Sequence, residues 1–350
     1  MSSDHPGVLP TMKDVADRAG VSRQTVSLVM RGQPGPSDHS RERVLAAAKQ
    51  LGYHANASAR LLRQRRTGLI GVLYTSHNAF ELRVVDRLLE RAAEQGHLVA
   101  LGPVTEKRTT EVVVTQLLER RVEALACYNP DPGSAALRAA IELMPVVWLG
   151  ERTTVPGVDV VRTDDENGLQ LVVDHLVELG HTRITYAGGQ PAGVGSDRAA
   201  AYRSAMAAAG LTDHIDVVEV GFGEEDGAAA ARVLLARSQR PTAVVTGSDQ
   251  CAAGVLAVLA RAGVSVPEDI SVTGYDDSDV AARSYHQLTT VRQDVDLTVE
   301  AILDSITSRL DDPTRSPRDV ATVATLQRRA STAAPHPRAS TPTAPRTDES

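Results

Sequence analysis

The stretch MKDVADRAGVSRQTVSLVM, residues 12–30, decides how the amino-terminal part of the chain folds. Two short amphipathic segments flank Ala19-Gly20-Val21-Ser22. Thr11 stands where a helix needs an N-cap, and Asp14, three residues on, favours the exposed N–H groups of the first turn. Met12, Val15 and Ala19 share one helical face. Gly20 ends the first segment, because a tight turn between crossed helices needs a residue free of Cβ crowding. Ser22 caps the second segment, whose inward residues are Val26 and Val29; Arg23, Gln24 and Ser27 point away from them. After the loop RGQPGPSDHS, a third helix is expected from about Arg41 to Leu51, with Val44, Leu45 and Ala48 inward. This is helix-turn-helix spacing, in which the outer face of the second helix enters a DNA groove.

Charge supports that reading. The chain of 350 residues has a net charge of −7, yet residues 1–67 hold eleven Lys/Arg against five Asp/Glu. A basic head on an acidic body suggests that only the head meets a polyanion. The length predicts two or three domains, and 42% hydrophobic residues suffice for their cores. Cys127 and Cys251 lie far apart in small apolar contexts, which reads as reduced core thiols and no metal site. MSSDHPGVLP lacks a basic segment followed by an apolar run, and no apolar stretch reaches the ~18 residues of a membrane span. A cytoplasmic location without membrane attachment is expected.

Next, NASARLLR, residues 56–63, reads as a helix too short to be stable alone in water. From Gly68, Val/Ile/Leu-rich strands such as GLIGVLY, HLVALG and VEALAC alternate with helical patterns of 10–15 residues. A second series follows with RITYAG, TAVVTG and ISVTGYD. The expected class is α/β: two doubly wound lobes of parallel sheet behind an all-α head, with a ligand crevice at the carboxyl ends of the strands. The expected boundaries are residues 1–55 for the head and 56–67 for a hinge helix and linker. The first lobe covers 68–163 and 291–328, and the second 164–290. Residues 329–350, rich in Pro, Ser, Thr and Ala without apolar periodicity, are expected to be disordered.

Two other classes share parts of this pattern, a transport component and an enzyme. A solute-binding transport component would need export. For an enzyme, AGGQPAGVGS lacks the GxGxxG and GxxxxGK[ST] spacings, there is no G-x-S-x-G, and the ten histidines show no HExxH. Neither catalysis nor a cofactor is expected.

Taken in order, MKDVADRAGVSRQTVSLVM, NASARLLR, GLIGVL, DHLVELGHTRI, SDRAAAYRSAM, PTAVVTGSDQCAAGVL, VPEDISVTGYDD and LTTVRQD resemble the lactose repressor/galactose repressor (LacI/GalR) family of bacterial transcription factors over about residues 11–327. The resemblance implies a homodimeric repressor on a palindromic operator, controlled allosterically by a small molecule of the sugar class in the interlobe cleft. It implies that Ser22, Arg23, Gln24 and Ser27 face the major groove, where Arg suits guanine and Gln suits adenine. Thr11, Arg31 and Tyr53 would hold the DNA backbone, with Met12 beside them. Leu28 replaces an often polar reader and favours apolar contact. Asn56 and Leu62 match the hinge, Leu62 as a minor-groove wedge. Around the cleft, Arg198 and Asp276 match the family's grip on sugar hydroxyls, Ser248 and Asp249 an Asn-Asp pair, and Phe222 a stacking aromatic; Thr75 and Tyr128 are further candidates. Three departures stand out. Ala55 replaces a common proline, Glu81 stands where a second Phe is common, and Gly150 stands where many members carry a pocket aspartate. Asp164, Asp165 and Asp277 are expected to act as caps and turn residues. The tail shows no leucine heptads, so a dimer is expected over a tetramer.

Overall fold

The structure, a computed structural model, describes residues 10–53, 66–189 and 193–336. Asn56, Leu62 and the expected hinge helix lie outside the described residues. The chain divides into two units, Met1–Thr67 and Gly68–Ser350.

The first unit is three helices: α1 (Met12–Ala19), α2 (Arg23–Met30) and α3 (Asp38–Leu51). Thr11 and Asp14 form a capping box at α1, and Gly20 closes it in the left-handed conformation at φ 61°. Val15, Ala19, Val26, Val29 and Val44 meet in one core, with Tyr53 beside them. Two expectations about α3 are corrected. It starts at Asp38, because Ser37 caps it by accepting from Ser40 N at 3.3 Å. Leu45 is 51% exposed, and Ala47 is buried in its place. At 100° per residue, positions 44, 47 and 48 form one arc that leaves 45 outside.

The second unit holds two six-stranded sheets. In the first lobe β1 (Leu69–Thr75), β2 (Leu98–Val104), β3 (Ala124–Tyr128), β4 (Val146–Leu149), β5 (Asp159–Thr163) and β11 (Asp319–Thr322) run parallel in the order β11-β5-β4-β3-β1-β2. In the second, β6 (Ile184–Gly188), β7 (Asp216–Glu219), β8 (Ala243–Thr246), β9 (Ser271–Asp276), β10 (Thr289–Gln293) and β12 (Ala324–Gln327) take the order β12-β10-β9-β8-β6-β7, with only β12 antiparallel. The central strands are buried along their whole length, as expected of sheets covered on both faces. In each lobe the order reverses between the first and third strands, so β1/β3 and β6/β8 are the switch points where ligands bind such folds.

The lobe boundaries differ from expectation. β10 pairs with β9, so the first lobe takes back only residues 294–322, led by the helix α12 (Val295–Asp311). Within DVATVATLQ, residues 319–327, β11 adds to the first sheet and β12 to the second. Val323, 61% exposed, is the whole connection between them. The tail is also corrected: residues 329–336 are placed against the second lobe. Val272 N donates to Ser331 O (2.9 Å), Ser331 Oγ donates to Val272 O (2.6 Å), and Thr289 N donates to Ser331 Oγ (2.8 Å). Hydrogen bonds anchor this segment, so it shows no apolar periodicity.

Candidate functional site

The head offers a reader face. Ser22 caps α2, accepting from Thr25 N at 3.1 Å, and so fixes the start of the helix. Arg23 and Gln24 follow it, exposed and without a side-chain hydrogen bond among the described residues. Ser27 and Leu28 are half-buried one turn on. Arg31 folds back, its Nε donating to Ser27 O at 2.9 Å. Thr11 is exposed at the cap of α1, Met12 packs on the core, and Tyr53 is buried in that core, where desolvation raises its phenol pKa. Arg18 clamps α1 to α3 through two donors on Gln50 Oε1, at 3.2 and 3.0 Å. Arg43 donates to Ala19 O beside the turn. The two free polar side chains at the start of α2 are thus held on a rigid scaffold.

The second candidate lies where the carboxyl ends of the two sheets meet. Arg198, on α8 (Val194–Ala208), is its centre and is 6% exposed. Its Nε donates to Asp165 Oδ1 (3.1 Å) and its Nη1 to Gly247 O (2.7 Å), while Asp276 Oδ1 stands 4.0 Å away. Its guanidinium lies 3.7 Å from the Tyr275 ring centroid and 5.6 Å from that of Phe222. Burial opposes the charge, but Asp165 and Asp276 outweigh it and hold the pKa above the ordinary arginine value. Asp276, at φ 111°, accepts from Gln293 Nε2 at 2.6 Å; burial raises its carboxyl pKa against the pull of Arg198.

The expected partners take distinct positions. Phe222 is half-buried and packs on Gly247, where a Cβ would come within 2.3 Å of its ring. Ser248 caps α10 (Asp249–Arg261), accepting from Cys251 N, and its Oγ donates to Phe222 O at 2.6 Å. Asp249 is fully buried; Thr290 Oγ1 donates to one of its oxygens, and Ser278 N and Oγ to the other. Its carboxyl group thereby ties the start of α10 to β10 and to the loop after β9. Thr75 and Tyr128 end β1 and β3 at the switch point of the first lobe. The Tyr128 hydroxyl is buried and has no hydrogen-bond partner among the described residues. Asp164 caps α7 (Asp165–Glu178), as expected, whereas Asp277 pairs with Arg292 and Arg329 and caps no helix among the described residues. Asp165 departs from its expected capping role, holding Arg198 and accepting from Tyr275 Oη at 2.5 Å.

Sequence reasoning missed several groups. Tyr275 precedes Asp276 in TGYDD, but strand alternation gave no reason to place both at one arginine. Arg83, on α4 (Ala79–Glu94), crosses between the lobes to donate to Asp276 O and, at 3.0 Å, to Asp277 O. Gln250 Nε2 reaches His77 O (3.3 Å), and Arg152 N reaches Asp197 Oδ2 (3.3 Å). The lobes are therefore joined by their own residues. At the rim, Ser76, His77, Ala79, Leu82, Gly223, Glu224 and Gln250 line a space of about 510 Å³.

These two parts have counterparts in known proteins. Residues 11–56 match the family described as bacterial regulatory proteins, lacI family, and residues 173–332 match a periplasmic binding protein-like domain. The ribose operon repressor of Escherichia coli is 34% identical over 316 residues, covering 87% of this chain and 94% of the relative. The crystal structure of the Lac repressor dimer bound to operator and the anti-inducer ONPF superposes with a TM-score of 0.81 at 28% identity, over 93% of this chain and 100% of that one. The complex of the transcriptional regulator CelR with cellobiose gives a TM-score of 0.68 at 29% identity, over 92% and 99%. The chain belongs to the LacI/GalR family of DNA-binding transcriptional regulators.

Proposed function

We propose that this regulator is a repressor whose operator affinity is set by a sugar bound between the lobes of residues 68–336. The observation that carries this reading is the Arg198–Asp165–Asp276 cluster at the strand ends, in a chain that also bears an exposed Arg23-Gln24 pair. Carboxylates accept from sugar hydroxyls, a guanidinium donates to their oxygens, and the Phe222 face covers the apolar side of a ring. The relatives named for a ribose operon and for cellobiose support the ligand class. On the head, Ser22, Arg23, Gln24, Ser27 and Leu28 face the groove, and Thr11, Met12, Arg31 and Tyr53 set the helix against the backbone. Thr75, Tyr128, Arg198, Phe222, Ser248, Asp249 and Asp276 form or brace the effector site. Asn56 and Leu62 are assigned to a hinge between the two units.

The working form is a homodimer on a palindrome. α4 and the edge strand β2 leave Leu82, Leu89, Leu98 and Leu101 exposed, apolar surface that a second copy would cover. Among the described residues no helix is long and apolar enough to cross a membrane. We place the protein in the cytoplasm and read it as non-enzymatic, in keeping with its relatives among transcriptional regulators. Fluorescence anisotropy on a fragment of its own promoter tests the whole reading. Binding should be site-selective and salt-sensitive, and a sugar that binds the cleft should change operator affinity about 5–150-fold. Indifference of operator affinity to every cleft-binding sugar would refute it.

A further inference from the structure

Where β4 ends in the first lobe, the chain turns through Gly150 and sets Glu151 and Arg152 against the second lobe. Glu151 Oε1 accepts from the Trp148 indole N–H at 3.2 Å, which fixes the carboxylate beside β4. Its other oxygen, Oε2, faces Gly193, where a Cβ would lie 2.4 Å from it. Gly193 is the N-cap residue of α8, at φ 67° and ψ −149°, where only glycine sits without strain. The residue that ordinarily supplies a capping side chain therefore has none, and a carboxylate from the opposite lobe stands in that place. Burial and the Asp197 charge raise the Glu151 carboxyl pKa; the Trp148 and Val194 N–H groups oppose the rise.

Arg152 extends the contact. Its N donates to Asp197 Oδ2 at 3.3 Å, and its Nη2 pairs with Glu166 Oε1 at 3.0 Å. Asp197 precedes Arg198 on α8, and Glu166 follows Asp165 on α7. Two consecutive residues of the first lobe thus meet both helices of the second whose Arg198–Asp165 pair centres the cleft.

We infer that Glu151 is a positioning residue for Arg198: it supplies across the lobe boundary the cap that α8 lacks, so that the arginine is set for the effector only in the closed form. Its bearing on the effector rests on the cleft being the effector site. In the open form the carboxylate withdraws with the first lobe, the N–H groups at the start of α8 turn to water, and the turn that leads to Arg198 loosens. An effector that grips Arg198 favours the capped helix and with it the closed lobes.

The test is hydrogen exchange, read by mass spectrometry on the full-length protein, in Glu151→Ala and Glu151→Gln. Loss of the cap should speed exchange of the amides at 196–200 about five-fold in Glu151→Ala and leave α12 unchanged. Glu151→Gln keeps an oxygen for α8 and should return most of that protection. Trp148 is the chain's only tryptophan, so its emission reports the Glu151 contact directly and should change in Glu151→Ala. Calorimetry with D-ribose, D-galactose, D-glucose and cellobiose completes the test: a sugar that binds the parent should bind Glu151→Ala about five-fold more weakly. Unchanged exchange at 196–200 in Glu151→Ala, or equal sugar affinity in parent and variant, overturns this inference and leaves the sugar reading standing. Binding of none of these sugars counts against the sugar reading alone, and exchange at 196–200 then decides this inference.

Discussion

Single side chains differ in how far the fold constrains them. Gln24 is exposed on the first turn of α2, whose direction Ser22 fixes through its cap. Its amide is suited to a bidentate contact with adenine, so Gln24→Ala should cost roughly 1–3 kcal/mol of operator binding and relax preference at one base pair per half-site. A set of operator variants titrated at fixed salt checks this; a loss equal on all sequences would assign Gln24 to the phosphates. Glu81 is constrained in the opposite sense. Burial, reinforced by Asp276, raises its carboxyl pKa from the ordinary 4.5 to about 7 in spite of the Thr75 hydrogen bond. The unfolded chain releases this proton near 4.5 and the folded chain near 7, so between those values the folded state holds more of it. Stability from this group is complete below the lower value and is lost as pH rises to the upper one. Glu81→Gln, which keeps an oxygen for Thr75 N, should therefore melt above the parent at pH 8 and close to it at pH 4.5. The rise is about 2–4 °C for each kcal/mol regained in a domain of this size. Parallel melting curves at both pH values would show that the carboxylate finds compensation elsewhere.

At the scale of elements, the second lobe depends on two helices that touch through their backbones. A Cβ on Gly254, in α10, would lie 1.8 Å from Glu224 O. One on Gly227, in α9 (Glu224–Leu235), would lie 1.9 Å from Cys251 O. Gly254→Ala must push the helices apart, and overpacking of this kind costs typically 1–3 kcal/mol or more. The strain reaches the cleft, because α10 begins with Ser248 and Asp249, which hold Phe222 O and the hydroxyls of Ser278 and Thr290. A lower urea midpoint together with weaker effector binding is expected; a lower midpoint with unchanged effector binding would separate helix packing from the site. Much of this architecture is legible in the sequence. The alternation of strand and helix patterns places GLIGVLY, TAVVTG and the helix after it, and caps such as Thr11, Ser22 and Asp164 announce their helices. Arg198 and Asp276 are legible through resemblance. What stays hidden depends on contacts between distant segments: Asp165 turned to Arg198 instead of capping, the crossing at Val323 from one sheet to the other, and a polar tail anchored by Ser331. Local periodicity carries no information about which sheet a strand joins or which backbone a serine meets.

At the scale of the whole regulatory unit, three chain crossings tie two lobes that must still move. The crossings lie at 163–164, 293–294 and 323, the last of them the exposed Val323. Opposing that motion are contacts made by the protein itself, and Arg83 is the strongest of them: one guanidinium from the first lobe on two carbonyls of the second. Hydrogen bonds to a charged group contribute about 1.5–3 kcal/mol each, net of water. Two such bonds amount to about 3–6 kcal/mol, so Arg83→Ala should raise the population of the open form roughly 100–10,000-fold without effector, because it acts on the closed state alone. The effector would then have to supply that free energy, and its apparent affinity should fall by a similar factor once the open form dominates. Spin labels on Glu142→Cys in the first lobe and Arg203→Cys in the second, both exposed, report the interlobe distance by pulsed electron resonance. A longer distance in Arg83→Ala that shortens again on adding effector is the expected pattern. An unchanged distance distribution would mean that Gln250 on His77 and Arg152 on Asp197 hold the lobes without help from Arg83.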